Sequence, residues 1–102
     1  MTSSANAILD EYRKEIDDLD AQLVTILGKR LNICRKVALL KKQCHIAMMQ
    51  PSRIDYIKLR CAQLGNDNNL RSEFIIRLYE EIIKEACQVE SELMEMQCDI
   101  TK

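Results

Sequence analysis

Arg30 stands where an apolar side chain is expected. From Leu9 to Cys44 the chain repeats apolar residues every seven positions, with Leu9, Ile16, Leu23, Val37 and Cys44 in one column and Tyr12, Leu19, Ile26, Ile33 and Leu40 in the other. Arg30 fills the place in the first column midway between Leu23 and Val37. A guanidinium in such a seam is costly unless an anion pairs with it, and the same stripe offers no obvious acidic residue. On a helix Lys41 returns to within about 20° of the Arg30 face after a rise of about 16 Å, so two long cationic side chains can close on one small dianion. Arg13 lies about 25 Å away along the axis and about 100° around it, out of reach of that ligand within its own chain but within reach from an antiparallel partner. Arg53 adds positive charge beside the free N–H groups of a helix start, which attract carboxylates. Glu90 is the acidic counterpart, on a stripe with Tyr79, Ile83, Ala86 and Leu93 where a solvated carboxylate is out of place.

Plainer readings compete with each of these. Lysines and arginines snorkel out of helical seams, and that is the ordinary account of Lys41 taken alone. Arg30 and Glu90 could form an ion pair inside a bundle, and Arg53 and Glu90 could be surface charges. The combination of all five favours a bound dianion.

The elements that must position these residues are helices. The apolar pattern from about Ile8 to Gln43 is broken only by Gly28, and reads as one helix about 50 Å long. One small chain cannot cover so long a stripe, so a second copy is expected against it. A connector, His45 to Gln50, leads to Pro51 at a helix start. The second helix carries Ile54, Ile57, Cys61 and Leu64 and is expected to stop at Gly65 and the Asn66-Asp67-Asn68-Asn69 turn. The third starts near Leu70 to Ser72, carries Ile75, Leu78, Ile82, Val89, Leu93 and Met96, and is expected to end near Met96. The prediction is an all-α, three-helix chain, long then short then long, forming a single domain over residues 1–102 with its core at about 8–96 and flexible ends.

Composition agrees with this and limits the function. The chain has 102 residues, 47% hydrophobic and 30% charged, with two Gly and one Pro, which suits helices better than turn-rich sheets. A net charge of −1 supplies no basic field for nucleic acid, and no apolar run is long enough for a membrane span. The N-terminus lacks the pattern of a secretory signal, so a cytoplasmic location with reduced thiols is expected. The five cysteines lack metal-ligand spacing and read mainly as small packing residues, with no metal implied.

Tyr12-Arg13-Lys14-Glu15-Ile16-Asp17-Asp18-Leu19-Asp20, followed by Gly28-Lys29-Arg30, Lys41 and Pro51-Ser52-Arg53, resembles the all-helical chorismate mutases over about residues 8 to 96. The resemblance implies an intertwined helical homodimer with two equivalent sites, no cofactor, and a small dicarboxylate as the molecule bound. It implies that Arg30 and the partner-derived Arg13 bind the two carboxylates, and that Lys41 donates to the ether oxygen and a carboxylate. Arg53 would support the ring end, and Glu90, with Ala86 on its stripe, would face the ether oxygen from the other side. The implied reaction is a [3,3] Claisen rearrangement of an enolpyruvyl ether, with one C–O bond broken and one C–C bond formed. For that reaction the protein supplies conformer selection and fixed donors at the oxygen where charge grows, which makes Lys41 and Glu90 the bond-breaking pair.

Two positions depart from the family pattern. Ile54 replaces the glutamate that ordinarily accepts a hydrogen bond from the substrate's C4 hydroxyl, and Gln50 stands where an aspartate is common. Leaving a buried hydroxyl unpaired costs about 1–3 kcal/mol, enough to shift preference to another C4 substituent. Met48-Met49-Gln50-Pro51, Ile54 and Glu90 are similar to the relatives that rearrange the C4-amino analogue, 4-amino-4-deoxychorismate, to 4-amino-4-deoxyprephenate. That is the favoured expectation. The alternatives are plain chorismate mutase activity, isochorismate pyruvate lyase activity, and a non-catalytic helical dimerisation module.

Overall fold

A computed structural model of the chain describes residues 2–47 and 50–100, with side chains from residue 4 to residue 95. Among the described residues there are three helices and no strand: α1 (Thr2–Gln43), α2 (Pro51–Asp67) and α3 (Ser72–Ile100). Both long helices extend beyond their apolar patterns, α1 back to Thr2 and α3 onward to Ile100. Adding one residue to a formed helix is easy compared with nucleating it, so a helix runs past the stretch whose periodicity reveals it.

The chain divides into two compact units, residues 1–32 and residues 33–102. The first is the N-terminal part of α1, and its apolar columns are open to solvent, with Tyr12 59%, Leu19 61% and Ile26 60% exposed. The second contains the end of α1 together with α2 and α3, and α2 packs along α3. Its buried apolar residues are mostly small: Ala38, Ala62, Ile75 and Ala86. On α3, Ile82, Val89 and Leu93 are half-buried while Leu78 is exposed. The side chain of Met96 lies outside the described residues.

α2 ends at Asp67, within the expected Gly65 to Asn69 stretch, but Gly65 itself is not what stops it. Its missing side chain serves packing: a Cβ at this position would stand 2.6 Å from Cγ1 of the buried Ile75. The stop comes from Asn69, whose φ of 62° is left-handed. The Leu70 N–H donates to the Gly65 carbonyl at 2.8 Å and the Asn69 N–H to that of Asn66 at 3.2 Å, which closes the helix in a Schellman arrangement. The end of α1 uses the same device. His45 has φ 56°, Ile46 N–H donates to the Lys41 carbonyl at 2.8 Å, and His45 N–H donates to that of Lys42 at 3.4 Å.

Pro51 occupies the first turn of α2, with Gln50 as the extended residue before it. The Gln50 carbonyl accepts from Arg53 N–H at 2.9 Å and from Ile54 N–H at 3.3 Å. Residues 50, 53 and 54 are thereby fixed relative to one another by one turn of backbone. Met48 and Met49, part of the run that suggested the C4-amino relatives, lie outside the described residues.

Candidate active site

Glu90 is the buried charged residue among the described residues, with 7% of its surface exposed. It lies on the face of α3 that also carries buried Ala86 and half-buried Tyr79, Ile83 and Leu93. A charged side chain is kept in such a place only with compensation from neighbouring charge or hydrogen bonds.

Its neighbourhood is read from Cys87, one turn earlier on α3. Burial pushes the Cys87 thiol above its usual value, Glu90 pushes it further, Lys41 pulls it down, and Cys34 raises it. The thiol on α3 thus feels both the Glu90 carboxyl and the Lys41 ammonium from the end of α1. Lys42, next in sequence to Lys41, ties that end of α1 to α3 by donating from Nζ to the Met94 carbonyl at 3.0 Å.

A cleft of about 410 Å³ lies between α2 and α3, within the size range of small-molecule sites. Ile54 and Lys58 line it from α2, and Glu80, Ile83, Cys87 and Ser91 from α3. Lys58 and Glu80 pair across it at 3.6 Å, a loose and partly exposed contact. Ile54 is thus a wall residue of a cleft whose opposite wall reaches Cys87, next to the Lys41–Glu90 region. Arg53 lies outside that lining and is exposed, with its guanidinium carbon 5.2 Å from the centre of the Tyr56 ring, at cation–π distance. Gln50 is also exposed.

Arg13 and Arg30 belong to the first unit. Arg13 pairs with Asp10 at 3.6 Å on an exposed surface, an interaction of little stabilising weight. Arg30 is half-buried.

Three contributors escaped the sequence reading: Cys87, Lys42 and Tyr56. Cys87 had a readable signal, since it falls four residues after Ile83 and three before Glu90, on the stripe that made Glu90 anomalous. Cys34, Cys44, Cys61 and Cys87 are not joined in disulfides, and the described residues hold no cluster of His, Cys, Asp and Glu suited to a metal ion. No described helix is long and apolar enough to cross a membrane.

A helical chain with a lysine and a sheltered carboxyl beside an open cleft has the equipment of an enzyme that works by holding and polarising its substrate. The chain belongs to the chorismate mutase type II family, whose model matches residues 12–91, a span that includes all eight candidate site residues. It is an isomerase of the chorismate type. It is 35% identical over 86 residues to a 4-amino-4-deoxychorismate mutase of Streptomyces venezuelae, with 84% of each chain covered. A 4-amino-4-deoxychorismate mutase of Streptomyces pristinaespiralis is 33% identical over 90 residues, covering 88% of this chain and 70% of that one. A chorismate mutase of Methanocaldococcus jannaschii is 26% identical over 87 residues, covering 85% and 88% respectively.

Proposed function

We propose that this protein rearranges 4-amino-4-deoxychorismate to 4-amino-4-deoxyprephenate as a cytoplasmic homodimer. The observation that carries the substrate assignment is Ile54 on the wall of the cleft, an alkyl group where the family pattern has the acceptor for a C4 hydroxyl. The names of the two Streptomyces relatives support the same reading.

In this mechanism Arg30 and the partner's Arg13 hold the two carboxylates and fold the substrate into its compact conformer. Lys41 and Glu90 then face the ether oxygen from two sides. As the C–O bond breaks, the electron density moving onto oxygen meets these donors, while the new C–C bond forms within the same molecule. Their contribution grows with that charge and so acts on kcat, whereas the arginine contacts to the carboxylates act on ground and transition states alike. Arg53, held over Tyr56, supports the ring end, and Gln50 offers an amide beside the C4 substituent.

The dimer is supported by the exposure of both apolar columns of α1 in the single chain, including Ile33 and Leu40 at 55% each. Pairing of long helices along such columns is their usual fate in water. The second reading, chorismate to prephenate, draws on the family itself and on the Methanocaldococcus relative. Comparing kcat/KM for chorismate, its 4-amino analogue and isochorismate, with products identified, separates these readings. Pyruvate release from isochorismate alone would point to a lyase. A non-catalytic module would give no turnover and no thermal shift with a dicarboxylate transition-state mimic.

A further inference from the structure

We infer that Cys87 is a specificity-determining residue of the rearrangement, its side chain lying against the edge of the ring that carries both the ether oxygen and the C4 substituent. The inference rests on the roles proposed above for Lys41, Glu90 and Ile54. In a chorismate-type substrate the ether oxygen and the C4 substituent sit on adjacent ring carbons. A protein group facing that edge must therefore border the bond-breaking pair and the C4 wall together.

Cys87 meets both conditions. It lines the cleft with Ile54, and the charges of Glu90 and Lys41 both act on its sulfur. Lys58, Glu80, Lys84, Gln88 and Ser91 also line the cleft, and the Lys58–Glu80 pair does not meet both conditions. Glu80 stands ten residues before Glu90 on α3, about 15 Å along the axis, too far to face the same edge.

The chemistry of the side chain suits discrimination at C4. A neutral thiol is small and polarisable, accepts an N–H weakly, and is a poorer partner than a carboxylate for a hydroxyl. With Ile54 in the acceptor's place, a sulfur at this edge tilts the site toward an amino substituent. It does so without the desolvation cost of a second buried carboxylate.

The test is the ratio of kcat/KM for the 4-amino substrate to that for chorismate in wild type, Cys87→Val and Cys87→Ser, with Tm measured on each. Cys87→Val is expected to lower the ratio by about fivefold, the scale of one weak hydrogen bond, while Tm stays near the wild-type value. Both kcat/KM values falling together, with the ratio held within about twofold in both variants, would overturn the inference. Should Cys87→Val fail to fold, Cys87→Ala carries the same comparison. A wild-type enzyme that prefers chorismate overturns the substrate assignment alone, because the ratio still falls on substitution if Cys87 faces the C4 edge.

Discussion

Glu90 and Cys87 stand three residues apart on α3, where burial and then the Glu90 carboxyl push the Cys87 thiol up against the opposing pull of Lys41. The thiol thus lies within the influence of a carboxyl on its own helix and of an ammonium from α1. Glu90 can donate to an ether oxygen only while protonated. Glu90→Gln keeps a group that can donate there, whereas Glu90→Ala removes it, so the alanine variant is expected to lose at least about tenfold in kcat while the glutamine variant keeps most of its activity. A Glu90→Ala enzyme as active as wild type would contradict the role at the ether oxygen.

The thiol itself makes a separate prediction about stability. A thiol raised in the folded state holds its proton when the unfolded chain has lost it, so its contribution is present below the unfolded value and is lost as pH rises through the folded one. Wild type is expected to lose Tm relative to Cys87→Val from about pH 8.5 upward, with a constant offset at lower pH. Parallel Tm curves from neutral to strongly alkaline pH would refute this.

Gly65 and Ile75 predict a reversal of sign. Gly65→Ala places a Cβ into Cγ1 of buried Ile75, and such overpacking costs about 1–3 kcal/mol, against about 1 kcal/mol gained in helix propensity. Chemical denaturation is expected to find Gly65→Ala destabilising in wild type and stabilising in an Ile75→Ala background. The same effect in both backgrounds would show that the close approach is not what requires glycine.

Sharing of sites between protomers is tested by mixing dead variants. If Arg13 acts in the partner's site, Arg13→Ala and Lys41→Ala chains, each inactive alone, form mixed dimers with one intact site. Statistical reassortment of equal amounts then restores about a quarter of wild-type activity. No recovery after verified subunit exchange would place Arg13 in its own chain's site or in none.

Much of this arrangement was legible in the sequence, for identifiable reasons. Apolar periodicity revealed all three helices, and Pro51 marked the start of α2, because burial and proline geometry both act locally. Glu90 was legible as a charge on an apolar face, and it is buried. The ends were less legible. Left-handed His45 and Asn69 close α1 and α2 without glycine, so the only glycine nearby, Gly65, looked like the stop when its role is contact with Ile75. Cys87 shares the stripe of Glu90, but cysteine fits such a stripe as a packing residue, and the cleft that α3 forms with α2 is what gives its position chemical meaning. The Lys42 bond to the Met94 carbonyl depends on tertiary placement, which no local pattern encodes.

Substrate preference remains the most direct test of the account. Purified enzyme is to be assayed with chorismate, 4-amino-4-deoxychorismate and isochorismate, with products identified and kcat/KM determined for each. The expected result is highest kcat/KM for the 4-amino substrate, giving 4-amino-4-deoxyprephenate, with chorismate slower and no pyruvate released. Preference for chorismate would contradict the specificity assigned to Ile54, and pyruvate from isochorismate as the sole reaction would contradict the rearrangement itself.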